Sequence, residues 1–281
     1  MNLRMLKLLF SFLVVATITY GQSQKVLSAD GVEIVYETAG EVNPALVFIH
    51  GWSCDKSYWS EQVKDLSKNH KVITVDLGGH GESGLNRENW TIEKYGEDVA
   101  SVVNNLKLEK LILVGHSMGG SVILEAAKIL KERVIGLIGA DTYQSFTDDW
   151  TAEQKEGFLK SFKDNFYETT QGFVKGMFPP SADSTLVKKV ADDMSMAPPQ
   201  VATSAMRNLF FYDPLPTLKE IDLPIISINC DLYPVAVEEN KKYVKYFEVK
   251  MINGAGHFLM IEKPEEFNKL LKEAVIELSN K

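Results

Sequence analysis

Cysteine is scarce in this chain: Cys54 and Cys230 are the only two among 281 residues. A disulfide-stapled scaffold is therefore excluded, and a single bridge is the arithmetic maximum. Histidine is nearly as rare, with five copies. No Cys, His or carboxylate cluster has the spacing of a metal site and no nucleotide-binding loop is present, so no cofactor is expected. Positive charge is also in deficit: 30 Lys and Arg stand against 38 Asp and Glu, a formal charge of −8. That balance argues against nucleic acid or an anionic bilayer as partner. Repeats and low-complexity tracts are missing too. What the chain does have is 45% hydrophobic residues, over a length that buries roughly 70–75% of the unfolded surface.

The one long apolar run stands at the start. Arg4 and Lys7 precede an apolar stretch from Leu8 to Ile18, and small and polar residues follow at Thr19, Gly21 and Ser23. This is the order of a signal peptide, assigned to residues 1–21, and it is short for a membrane span. A secreted or periplasmic protein is expected, with no stable membrane insertion of the mature chain.

Beyond the leader, short apolar strands alternate with helix-like segments. Strands are expected at Val32–Thr38, Ala45–Ile49, Val72–Val75, Leu111–Val114 and Val134–Ile138, and again at Ile225–Ile228 and Tyr246–Met251. Helices are expected at Tyr58–Leu66, Thr91–Leu106, Met118–Leu130 and Pro264–Leu278, with Thr91 as an N-cap and Pro264 in a first turn. This alternation predicts an α/β fold with a mostly parallel sheet covered on both faces. Between residues 141 and 220 the rhythm breaks. That stretch has helix-like segments at Thr151–Phe162, Gly172–Phe178, Thr185–Met194 and Val201–Phe211 but no convincing strand. The expected organisation is a core of residues 22–140 and 221–281 with a helical insertion at 141–220. Cys54 and Cys230 then follow non-neighbouring strands and are expected as free, partly buried thiols.

The strongest local signal is Gly115-His116-Ser117-Met118-Gly119-Gly120, set between an apolar strand and a helix-like run. A turn that sharp exposes the Ser117 hydroxyl, and the glycines admit the close approach of strand and helix. A serine hydroxyl needs a base to become nucleophilic. His257, on the loop after the last strand, is the expected base; His116 reads as a packed neighbour and His70 as a surface residue. The loop His50-Gly51-Trp52 follows another strand, so the backbone amides of Trp52 and Met118 are the expected oxyanion donors.

Taken together, His50-Gly-Trp52, Asp76-Leu-Gly-Gly-His80-Gly81-Glu-Ser83, Gly115-His-Ser-Met-Gly-Gly120 and Gly254-Ala-Gly-His257 resemble the α/β-hydrolase superfamily, in particular its capped small esterases. The resemblance covers nearly the whole chain after the leader. It implies an α/β-hydrolase fold with a helical cap between strands 6 and 7, and it makes Asp76, His80 and Ser83 scaffold residues. The sequence departs from the family at the triad acid. Where the family usually has Gly-x-x-Asp after a strand, this chain has Cys230-Asp231-Leu232-Tyr233, so Tyr233 takes the usual aspartate's place. Asp231 is the expected acid, with Asp141, after the sixth strand, as the alternative.

The insertion is rich in Phe and Met, so a small or medium hydrophobic ester is the expected substrate. Phe146, Trp150, Phe178 and Phe258 are candidate pocket residues. Lactone, amide and carbon–carbon hydrolysis are alternatives, as is a non-catalytic ligand-binding or signalling role on the same fold.

Overall fold

A computed structural model describes residues 22–281; the expected leader, residues 1–21, lies outside the described residues. Eight strands run through them: β1 (Gln24–Leu27), β2 (Glu33–Ala39), β3 (Ala45–Ile49), β4 (Val72–Asp76), β5 (Leu111–His116), β6 (Val134–Ala140), β7 (Ile225–Cys230) and β8 (Phe247–Ile252). They form one sheet in the order β1-β2-β4-β3-β5-β6-β7-β8. β2 is antiparallel to both β1 and β4, and every pair from β4 to β8 is parallel. β3 and β5 are buried at every position, which is why they read as continuous apolar runs rather than alternating ones.

The core helices are α1 (Ser60–Leu66), α2 (Ile92–Asn105) and α3 (Met118–Leu130). After β6 the chain builds the cap: α4 (Ala152–Asp164), α5 (Phe166–Lys175), α6 (Ser184–Ser195), α7 (Pro199–Phe211) and α8 (Leu215–Glu220). It then returns to the sheet at β7, and α9 (Val237–Asn240), α10 (Leu259–Glu262) and α11 (Pro264–Ser279) complete the core. α2 packs on α3, while α1 and α10 pack on α11.

Local signals set most helix starts. Thr91 accepts the Lys94 amide, and Thr151 and Gln154 form a reciprocal capping box ahead of α4. The helix expected at Gly172–Phe178 instead starts six residues earlier, because the Asn165 side chain caps α5 by accepting the Glu168 amide. Inside the cap, Phe158, Phe162 and Phe173 pack with ring centroids 5.2–5.6 Å apart.

Cys54 and Cys230 are both buried and free. β5 and β6 lie between their strands, and at roughly 4.8 Å per strand that places them well beyond bridging distance. No helix among the described residues is long and apolar enough to cross a membrane.

Candidate active site

From β3 the chain crosses to β4 on one side, whereas β5 lies on the other. The loops leaving β3 and β5 therefore diverge and open a crevice at the carboxyl edge of the sheet. In register, Ile49 pairs with Gly115, Gly115 with Gly139 and His116 with Ala140. The loops after β3, β5 and β6 thus leave the sheet level with one another, bringing Trp52, Ser117 and Asp141 to one edge.

Ser117 sits at φ 52°, ψ −118°, a left-handed conformation that costs a non-glycine residue on the order of 1–3 kcal/mol. Its neighbours hold it there. The Ser117 amide donates to Ala140 O at 3.1 Å, and its carbonyl accepts the Gly120 amide at 2.8 Å. The flanking glycines are obligatory: a Cβ on Gly115 would meet Gly119 O at 2.3 Å, and one on Gly119 would meet Ile49 O at 2.6 Å. α3 starts at Met118, directly behind the serine. Its first amides have no intrahelical acceptor and carry the positive end of the helix dipole.

His257 Nδ1–H donates to Asp141 Oδ2 at 2.6 Å. The preference for Asp231 is thereby corrected, since the carboxylate on the ring is the alternative, Asp141. Register supplies the reason. Ala140 pairs with Ile228, yet β7 continues to Cys230, so Asp231 leaves the sheet two residues farther out than Asp141, roughly 6.6 Å. Asp231 is exposed there and accepts the Gly254 amide at 2.7 Å, bracing the foot of the His257 loop. Asp141, by contrast, is 1% exposed and turns inward at φ 43°. Its amide donates to Ile228 O, and its Oδ1 accepts the Cys230 amide at 3.0 Å. Tyr233, at the family's usual acid position, is an exposed aromatic.

One buried histidine holds the loop after β3 and another holds the His257 loop. His50 Nδ1–H donates to Gly51 O at 2.7 Å, and its Nε2 accepts the Leu77 amide at 3.1 Å. This pattern requires the neutral ring, and burial pushes its pKa down to about 4. A Cβ on Gly51 would lie 2.7 Å from His116 Nδ1 and 3.3 Å from Ser117 Cβ, so only glycine lets this loop close on the serine. His116 donates Nε2–H to His257 O at 3.0 Å and is likewise held neutral by burial. Trp52 donates Nε1–H to Ala202 O of α7 at 2.7 Å, and its ring meets Phe162, Phe166 and Phe173 edge-on. Asp76 and Ser83 are scaffold. Asp76 accepts the Lys56 and Glu82 amides and the Lys56 ammonium, while Ser83 links Asp76 O to the Val35 amide. His80, buried beside His50 with Nδ1–H on Gly78 O, is pushed down to about 3.

Ser117 and His257 open onto one cavity of about 90 Å³ between sheet and cap. Of the four expected pocket residues only Phe258 lines it. Phe146 packs against Tyr143 and Phe247, Phe178 stacks on Phe258, and Trp150 stands half exposed against Phe158 and Phe210. The apolar walls come from Met177, Met194, Met206, Phe173, Leu209 and Phe210, with Cys54 beside Trp52. Cys54, Leu209 and Phe210 escaped the sequence reading. The last two lie on α7, whose inward face depends on how the cap docks, and Cys54 lies just past the oxyanion loop. Neither Lys nor Arg lines the cavity, and no His, Cys, Asp and Glu grouping among the described residues could hold a metal ion.

Comparison with known proteins gives the same fold and a range of activities. The chain is 28% identical over 230 residues to 3-oxoadipate enol-lactonase 1 of Acinetobacter baylyi, covering 80% of this chain and 85% of that protein. It is 27% identical to the non-heme chloroperoxidase CPO-A1 of Kitasatospora aureofaciens, covering 87% and 96%. A thermophilic esterase from Thermogutta terrifontis superposes with a TM-score of 0.79 at 23% identity, over 92% of this chain and 99% of that one. Residues 46–270 match the model of the Alpha/beta hydrolase family. With that match spanning most of the chain and the fold shared throughout, the protein belongs to the alpha/beta hydrolase family.

Proposed function

We propose that this protein is a serine carboxylesterase that cleaves small, uncharged, short-acyl esters through an acyl-enzyme. The observation that carries this reading is that Ser117, at its strained turn, and His257, held on buried Asp141, open onto one small apolar cavity.

In this mechanism His257 Nε2 takes the Ser117 proton as Oγ attacks the acyl carbon. The Trp52 and Met118 amides receive the oxyanion, and Asp141 balances the imidazolium. The imidazolium returns the proton to the leaving alcohol as the carbon–oxygen bond breaks. His257 then draws a proton from water as the water oxygen attacks the acyl carbon, and the imidazolium returns that proton to Ser117 Oγ as the acyl–serine bond breaks and the acid leaves.

Size and charge narrow the substrate. A cavity of about 150 Å³ holds benzene, so 90 Å³ takes about three or four non-hydrogen atoms of the acyl chain. The uncharged walls disfavour an anionic acyl group. Uncharged lactones, which are cyclic esters, are the comparator suggested by the lactonase relative. The leader-like residues 1–21 support a reading in which this activity is exercised outside the cytoplasm, in the periplasm or the medium.

A fluorophosphonate probe tests the chemistry. Folded wild type is expected to take up one adduct by intact mass, and Ser117→Ala none. An unlabelled wild type, or labelling that survives the substitution, refutes the reading. Across p-nitrophenyl esters, kcat/KM is expected to peak at two to four acyl carbons; a peak at ten refutes the size argument.

A further inference from the structure

Three carboxylates, Asp141, Asp231 and Glu262, meet the His257 loop, and only Asp141 touches the ring. Glu262, the last residue of α10, folds back so that Oε2 accepts the Gly256 amide at 2.9 Å and Oε1 accepts the Phe258 amide at 3.1 Å. These amides are the immediate neighbours of His257 on either side. The His257 amide donates to Met177 O at 2.9 Å, and its carbonyl accepts His116 Nε2–H at 3.0 Å. The backbone around the base is therefore tied on every side, and Glu262 is the one group that holds two of those ties.

An ordinary helix cap does not explain this contact. A glutamate near a helix start characteristically reaches back to the amide of the cap residue alone, here Phe258. The second oxygen of Glu262 passes that residue and its neighbour to reach Gly256. Because the side chain is half-buried, an ionised carboxylate is costly there unless charge-assisted hydrogen bonds offset the lost water.

Building on the esterase reading above, we propose that Glu262 is a positioning residue for the base. One carboxylate spans the two peptide units around His257, keeping the ring's Nδ1–H on Asp141 and its Nε2 free for Ser117. Its negative charge joins that of Asp141 in favouring the imidazolium.

The surroundings leave few other charges to do this, and the Asp231 carboxylate on the same loop is exposed and bound to the Gly254 amide rather than beside the ring. His116, from the end of β5, is neutral. Cys230 and Tyr233, beside Asp141, are pushed upward by burial and so are neutral as well. Tyr58 packs on Phe258 with its hydroxyl on Asp193, and the Lys263 ammonium is turned to Asn253 O. Burial raises the Glu262 carboxyl above its usual range, with the Gly256 and Phe258 amides and His257 opposing the rise and Asp141 adding to it.

The test compares Glu262→Gln with Glu262→Asp by kcat, KM, fluorophosphonate labelling rate and pH profile. Glu262→Gln removes the charge and puts an amide donor against one N–H. It is expected to lower kcat roughly 10-fold with KM within about 2-fold, and to move the acid limb of kcat/KM about half a unit lower. Glu262→Asp keeps the charge but is too short to span both amides. It is expected to lose kcat with the limb in place. If wild type labels and Glu262→Gln matches it in rate and acid limb, the positioning role fails while the esterase reading stands. If both variants lose activity only in step with melting temperature, with the Glu262→Gln limb unmoved, the carboxylate is merely structural and the proposal is overturned. A folded wild type that takes up no probe sinks the esterase reading itself.

Discussion

Asp141 and Asp231 invite direct comparison. Each is the first residue past a buried parallel strand, the two strands are neighbours, and both carboxylates hold part of the His257 loop. One is buried on the imidazole and the other is exposed on a backbone amide. Chemistry does not separate them, because the side chains are identical. A two-residue difference in where the paired strands end does, since β7 runs two residues past the end of β6 and so decides which carboxylate leaves the sheet deep enough to meet the ring. In this fold the carboxylate that meets the imidazole is chosen by depth.

The largest test of that distinction is Asp141→Asn, expected to lower ester kcat on the order of 10³–10⁴-fold, as loss of the orienting aspartate does in a characterised serine protease. Steady-state kinetics on the preferred ester check it. A loss under about 10-fold would place the working carboxylate elsewhere.

The same effect of depth extends to histidine. His50, His80 and His116 are buried and neutral, with pKa values depressed by desolvation. Between their folded values and about 6.5, only the unfolded chain binds these protons, so stability is expected to fall as pH drops through that window. Each such histidine contributes a slope of up to about 1.4 kcal/mol per pH unit. Asp76 and Asp98, raised by burial, oppose this at the acid end. Urea unfolding at pH 5 to 7 should therefore show net proton uptake, reduced in His80→Gln; a flat profile contradicts the neutral assignment.

The smallest effect belongs to the exposed partner. Asp231→Asn is expected to change kcat less than about 3-fold and to cost at most about 1 kcal/mol, the worth of one hydrogen bond to Gly254. A loss matching that of Asp141→Asn would erase the contrast.

Much of the architecture could be read from residue patterns alone. The apolar runs of β3 and β5 and the glycines around Ser117 carry their own geometric necessity, and the break in the strand rhythm marked the helical insertion that the resemblance identified as a cap. β1 was missed because it is short and mostly exposed, with no alternation to mark it. α8 was hidden by the prolines that open it. The carboxylate partner of the His257 ring was misjudged for a different reason. Local spacing shows which residues follow a strand, but how far one strand outruns its neighbour depends on pairing register. Phe146, Trp150 and Phe178 failed as pocket residues in the same way, since an aromatic pattern says little about which face of the cap meets the sheet. Glu262 gave no local signal, because it acts on backbone amides rather than through a motif.

The indole of Trp52 has a bearing on how such enzymes can be re-engineered. Its Nε1–H rests on Ala202 O of the cap while its backbone belongs to the loop beside Ser117. A transplanted cap would therefore have to present a carbonyl at that point in space, or the loop beneath would lose its anchor. Chimeras that exchange residues 141–220 between relatives are for this reason exchanges of machinery as well as of selectivity, and the junction to preserve is a contact far from either splice site in sequence.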